Sequence, residues 1–246
     1  EKAELLAGAS EAMRRLRAQI WMANFGPSLD GAVRLGQVIR EQNVLILGET
    51  GTGKELVADA LAAGTLGGTD GSAPAQAINA AAIPPELLES ELFGHEKGAF
   101  TDAVKARPGR IAAANRGTFF LDEVADLAGN LQPKLLRVIE SNRVTPVGAD
   151  TELEVDVRYL AATSRPLAEM VARGEFRADL FERLAGITLH VPPLRDRPED
   201  IRPIAERILA KLVQRRAPNP EDLGASWVAQ ARSRLDADMA SLLESH

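Results

Sequence analysis

The glycine-rich run Gly48-Glu49-Thr50-Gly51-Thr52-Gly53-Lys54 has the residue types and spacing to hold a phosphate group. Its glycines permit a tight turn that aims backbone N–H groups at phosphate oxygens. Lys54 adds a point charge for the β- and γ-phosphates of a nucleotide. The position after it is Glu55, where the generic pattern has Ser or Thr, so the usual hydroxyl ligand for Mg²⁺ is missing there. Further on, the apolar run Phe119-Phe120-Leu121 leads into Asp122-Glu123. Asp122 can hold Mg²⁺ directly or through water, and Glu123 can polarise an attacking water. Taken singly, these are also an ordinary glycine turn and two solvated acids at a strand end. Taken together they predict the two halves of a nucleotide-hydrolysing site. Asn79 lies between them and either hydrogen-bonds Glu123, holding it off the water, or merely ends a strand.

Positioning these groups requires strands that end where the polar residues begin. Residues 44–47 are a short apolar run closed by glycine, which reads as a buried strand feeding a helix over residues 54–63. Further strands are predicted at residues 75–79, 118–121, 155–161 and 187–191, with helices at 84–92 and 131–140 between them. Pro84-Pro85 suits the first turn of a helix. This alternation implies a mostly parallel sheet covered by helices, with ligands at the carboxyl edge of the strands. Pro192-Pro193 marks a boundary, beyond which residues 198–215 and 226–245 read as helical. Residues 64–74, rich in Gly, Thr and Ser, read as a surface loop. We therefore expect an α/β nucleotide-binding domain over residues 1–193 and part of a helical lid over 194–246.

Composition narrows the class further. At 45% hydrophobic residues the chain can bury a sizeable core, and at 4% aromatic that core is mainly aliphatic. A net charge of -6 argues against a dominant nucleic-acid surface. With no cysteine there is neither a disulfide framework nor a thiolate metal site. His95, His190 and His246 have no ligand spacing. No apolar run approaches the roughly 20 residues of a membrane span, so a cytoplasmic protein with no membrane association is expected.

The run Glu86-Leu87-Leu88-Glu89-Ser90-Glu91-Leu92-Phe93-Gly94-His95-Glu96-Lys97-Gly98-Ala99-Phe100-Thr101 is more specific than the phosphate loop. On it, the chain resembles the AAA+ P-loop ATPase domain of bacterial enhancer-binding proteins, the activators of sigma-54 RNA polymerase, over about residues 6–212. The fold implied is α/β, a mostly parallel sheet flanked by helices and followed by a helical lid. Glu55 suits this family, which usually carries Gly-Lys-Glu.

The resemblance implies a site for ATP and Mg²⁺ built from Gly48, Glu49, Thr50, Gly51, Thr52, Gly53, Lys54, Glu55, Leu56 and Ser164, with Mg²⁺ on Asp122. It implies catalytic roles for Lys54, Asp122 and Glu123, with Asn79 relaying the state of Glu123. Arg177 and Arg183 match arginine fingers that reach the ATP of a neighbouring subunit, which implies a ring, most simply a hexamer; taken singly, each is equally a surface charge. Gly98, Ala99, Phe100, Thr101, Asp102 and Ala103 match the loop that touches sigma-54, with Phe100 and Thr101 in contact. Residues 142–150 would form a second surface loop beside it, and Thr163-Ser164 would be the γ-phosphate sensor. DNA would be reached only through a helix-turn-helix domain outside this chain.

Several positions depart from the family pattern. Asp102 stands where glycine is usual, although aspartate tolerates left-handed backbone. Ser164 stands for the usual Asn and keeps only a hydroxyl. The Trp-Pro-Gly-Asn segment and second sensor arginine of the lid are not in the sequence, which predicts a truncated lid, and residues 24–42 are longer than the usual link. The departures leave two functions to separate. One is a mechanochemical ATPase that remodels the sigma-54 closed complex through residues 98–103. The other is a nucleotide-gated interaction or signalling module that binds ATP without remodelling anything. A small-molecule kinase explains neither the Phe100 loop nor arginines suited to action in trans.

Overall fold

The structure, a computed structural model, describes residues 6, 8–26, 42–64, 75–100, 103–216 and 233. Helix α1 (Glu11–Phe25) leads to strand β1 (Val44–Leu47) and helix α2 (Lys54–Gly64). Then come β2 (Ala75–Asn79), α3 (Pro85–Phe93), the short strands β3 (Gly94–His95) and β4 (Arg107–Pro108), and α4 (Arg110–Ala113). The central part continues with β5 (Gly117–Asp122), α5 (Gln132–Ser141), β6 (Arg143–Val144), β7 (Leu153–Glu154) and β8 (Val157–Thr163). The last elements are α6 (Leu167–Ala172), α7 (Ala178–Leu184), β9 (Ile187–His190) and α8 (Ile201–Arg216).

Five of these strands form one parallel sheet in the order β2-β5-β8-β1-β9. The central strands are covered on both faces, so they read as continuous apolar runs rather than alternating ones. Every residue of β8 is buried, as are the first five of β5. Among the fully enclosed side chains are Phe119, Leu45, Ile46 and Phe176. Because the strands are parallel, their carboxyl ends share one edge, and that edge carries Gly48, Asn79, Asp122 and Thr163.

Arg158 interrupts the apolar run of β8 yet is only 3% exposed. Its guanidinium donates to Ala23 O at 2.8 Å, Asn24 Oδ1 at 2.8 Å and Gln42 O at 3.3 Å. A cation thus meets the negative end of α1, where the last carbonyls lack helical partners. Burial lowers its pKa to about 10.

The predicted strands and helices are all present where residues are described, with shifted ends. The helix predicted from residue 198 begins at Ile201, after a 3-10 turn over Pro198–Asp200, and the fourth strand, predicted from residue 155, begins at Val157. Val155 and Asp156 spend their backbone groups on loops instead: Val155 N on Asn142 O, Asp156 N on Asn115 Oδ1, and Asp156 O on Arg116 N. The surface loop expected over residues 64–74 begins with the last residue of α2, and residues 65–74 lie outside the described residues. So does the helix expected over residues 226–245, residue 233 apart.

Two compact units are distinguished, residues 15–193 and residues 6–14 with the chain from residue 194 on. In the second unit, Asp200 has no exposed surface and accepts from Ser10 N at 2.9 Å and Ser10 Oγ at 2.5 Å. Among the described residues, no helix is long and apolar enough to cross a membrane.

Candidate functional site

β1 is short and apolar, and it delivers the chain to the sheet edge at Gly48. From there the backbone turns through Gly51 (φ +82°) and Gly53 (φ +99°), values that side chains disfavour, and enters α2 at Lys54. The turn is tightened by Thr52, whose N–H and hydroxyl both donate to Glu49 O. Glu49, Thr50, Glu55 and Leu56 are exposed on its outer side. Lys54 is 7% exposed, and its Nζ donates to Gly48 O at 2.9 Å and Glu49 O at 3.3 Å. The same ammonium lies 3.5 Å from Glu123 Oε1.

The paired acids part company at the end of β5. Asp122 is register partner of Asn79 on β2, so the two side chains meet across adjacent strand ends. Asn79 Nδ2 donates to Asp122 Oδ2 at 2.8 Å, while Asn79 Oδ1 accepts from Ala81 N and Ala82 N. Glu123 N closes on Asp122 Oδ1 at 3.0 Å. Glu123 itself is left-handed (φ 48°, ψ 51°), a conformation that costs a non-glycine residue about 1–2 kcal/mol. The turn sends its carboxylate the other way, to the end of β8. There Oε2 accepts from Ser164 N at 3.0 Å and Ser164 Oγ at 3.1 Å, with Thr163 Oγ1 at 3.5 Å.

One sequence expectation is corrected here. The hydrogen bond considered between Asn79 and Glu123 is made to Asp122 instead, because strand register puts Asn79 beside the first acid. Glu123 answers to Ser164 and Lys54. The edge therefore brings together Gly48, Lys54, Asn79, Asp122, Glu123 and Ser164, a set of hard oxygen donors and one ammonium. Such a set can surround a phosphate chain, hold a divalent cation on Asp122, and orient a base. Among the described residues no group of three His, Cys, Asp or Glu could hold a metal; Mg²⁺ characteristically takes one or two carboxylates plus phosphate oxygens.

Arg177 immediately precedes α7 and Arg183 lies in its last turn. Arg177 caps its start, its N–H donating to the buried Gln132 Oε1 at 2.9 Å. Its exposed guanidinium forms a fork on Asp179, at 3.0 Å and 2.7 Å. The hydrogen bond from Arg177 holds the Asp179 carboxyl below the usual range. Arg183 Nε meets Glu140 Oε1 on α5 at 3.2 Å.

The Phe100 loop rises on a neck made by β3 and β4, paired antiparallel through Gly94–Pro108 and His95–Arg107. Two glycines let these strands touch: a Cβ on Gly109 would lie 2.3 Å from Leu92 O and 2.4 Å from Gly94 N. Gly98 N donates to Ala103 O, and Ala103 N to Phe100 O, closing the loop at its base. Phe100 is 39% exposed. Thr101 and Asp102 lie outside the described residues. The segment predicted as a second surface loop begins with β6 and is bonded to the neck, Glu96 N to Val147 O and Val147 N to Gly94 O.

Sequence reasoning passed over His95, which is 9% exposed in the neck. Its Nε2 faces Lys105 O at 3.0 Å, and a carbonyl only accepts, so that nitrogen carries the proton. Nδ1 then accepts from Ser90 Oγ at 2.6 Å. Phe100 packs edge-on against the imidazole at 5.0 Å. The one signal available was its place inside the run 86–101.

The family described as the Sigma-54 interaction domain matches residues 32–190. The chain is 46% identical to the anaerobic nitric oxide reductase transcription regulator NorR of Aeromonas salmonicida (strain A449), over 81% of this chain and 36% of that protein. It is 51% identical to the transcriptional regulatory protein ZraR of Klebsiella oxytoca, over 71% of this chain and 39% of that one. The chain thus spans little more than a third of the length of either regulator. Among solved structures, NtrX from Brucella abortus in complex with ATP superposes with a TM-score of 0.72 at 34% identity, covering 87% of this chain and 42% of that one. The glycine turn, the paired acids on a parallel sheet and the Phe100 neck are accordingly those of an AAA+ P-loop NTPase domain, and this chain belongs to the sigma-54 interaction domain family.

Proposed function

We propose that this domain hydrolyses ATP and spends the energy on moving residues 98–103 against sigma-54, remodelling the closed RNA polymerase complex. One observation carries the reading: Glu123 bridges Lys54 of the phosphate loop and Ser164 at the end of β8. A base so placed touches both flanks of the space where a γ-phosphate would lie. Glu123 takes a proton from the attacking water, and Lys54 holds the β- and γ-phosphates. Asp122 would hold Mg²⁺, which would supply positive charge to neutralise the phosphate oxygens. Ser164 senses the γ-phosphate through its bond to Glu123, and Asn79 passes the state of the acid pair on through Asp122. Arg177 and Arg183 act on the ATP of the next subunit in a ring, most simply a hexamer. Residues 194–246 serve as the lid. The ATP complex of NtrX, a similar protein, supports a nucleotide as the ligand.

A second reading is favoured by one feature. Both candidate fingers are bound to carboxylates of their own chain, Asp179 and Glu140. A nucleotide-gated module that binds ATP without turnover would keep them there. The two readings part on one experiment: ATP hydrolysis against protein concentration, with sigma-54 and ADP–aluminium fluoride as transition-state analogue. Specific activity that rises with concentration, plus analogue-dependent capture of sigma-54 abolished by Phe100→Ala, is expected. ATP binding with no turnover at any concentration would overturn the ATPase reading in favour of the gated module.

A further inference from the structure

Beside Phe100 lies a cavity of about 800 Å³, open to solvent. Its apolar lining comes from Ile83 and Leu87 at the start of α3 and from Phe100 and Val104 in the loop. Leu87 is 50% exposed and Val104 73%. Large apolar side chains gathered in one place on a surface mark interaction sites more often than isolated ones do. One rim is basic. Lys105 and Arg107 line it, and neither makes an ion pair among the described residues. The acid in the same lining, Glu91, is engaged by Arg110 at 3.3 Å.

We propose that this groove is a second docking surface for sigma-54, receiving an amphipathic segment with an apolar face and acidic flanks. The proposal rests on the reading of Phe100 as a sigma-54 contact. Phe100 is at once a partly exposed residue of the loop and a wall of the groove, so a segment held by it continues onto Leu87 and Val104. Apolar area supplies the grip, while Lys105 and Arg107 select the acidic flanks and set the salt dependence. The groove wall on α3 follows directly on the Ala80–Ala82 turn, whose N–H groups bond Asn79. Its shape is therefore tied to the same strand end as Asp122.

The test is capture of purified sigma-54 by the full chain in the presence of ADP–aluminium fluoride. Leu87→Ser with Val104→Ser should weaken capture about tenfold or more, the loss expected for truncating a central apolar contact. Lys105→Glu with Arg107→Glu should weaken it and flatten its dependence on salt. Melting temperature, with and without ATP, checks that each variant folds; all four side chains are exposed, so no buried cavity is created. Because the chain has no cysteine, Val104→Cys can also carry a single photocrosslinker. It should crosslink to sigma-54 in the analogue complex. Groove variants that capture like the wild type while Phe100→Ala does not would overturn the groove and leave the loop reading intact. Crosslinks from residue 104 only to other copies of the chain would overturn it in favour of a contact within a ring. Normal capture by Phe100→Ala would bring down the loop reading, and the groove with it.

Discussion

The carboxyl edge of the sheet and the neck that carries Phe100 follow opposite plans. At the edge, buried parallel strands fix Gly48, Asn79, Asp122 and Thr163, and the polar side chains between them are bonded to one another. At the neck, two strands of two residues each are joined through glycines, a buried imidazole and a few loop bonds. The edge has preorganised dipoles on rigid elements, as phosphoryl chemistry requires. The neck has little apolar packing of its own, which is where local movement is least costly. On the reading proposed above, a machine that converts a phosphate bond into displacement needs one of each.

Variants that hit one region and spare the other would sharpen this contrast, and those that hit both would break it. The largest effect is expected from Glu123→Gln. ATP should still bind while turnover falls about 10²- to 10⁴-fold, since an amide cannot accept the water's proton. Single-turnover and equilibrium ATP measurements separate the two, and normal turnover would remove Glu123 from its role. Lys54→Ala should come next, reducing ATP affinity about tenfold or more through loss of one charge-assisted contact. It should show as a lost ATP-dependent rise in melting temperature. Gly109→Ala acts on the neck, where the new methyl must displace backbone; a loss of about 1–3 kcal/mol is expected in denaturant unfolding. If instead Gly109→Ala abolished ATP binding at unchanged stability, edge and neck would be a single unit. The smallest effect belongs to neither region. Arg116, at the opposite end of β5, is left-handed at φ 63°. Arg116→Gly should relieve that strain and stabilise the fold by roughly 0.5–1 kcal/mol, with nucleotide binding unchanged.

What the sequence disclosed follows the same divide. The phosphate loop and the acid pair were legible because each is local: a short apolar strand, then polar residues at fixed offsets. Which partner each acid takes was not, because it depends on strand register and on one left-handed residue, Glu123. Asn79 and Asp122 are distant in sequence and adjacent only through β2–β5 pairing. The strands β3, β4, β6 and β7 are two residues long, too short to show a period of two. Arg158 interrupts an apolar strand, and only the end of α1, far away in sequence, explains it. His95 carried no ligand spacing because its partners are a serine, a carbonyl and a phenyl ring rather than a metal.

The imidazole in the neck has a use beyond holding it. The chain has only three histidines, and His95 Nε2–H is shielded from solvent by its bond to Lys105 O. Such a proton exchanges slowly enough to give its own resonance in an imidazole ¹H–¹⁵N spectrum. Phe100, 5.0 Å away and edge-on, imposes a ring-current shift on it. The neck therefore contains an isotope-labelled gauge needing no added probe: each nucleotide state that lifts Phe100 off the histidine will register as a change in one well-resolved line.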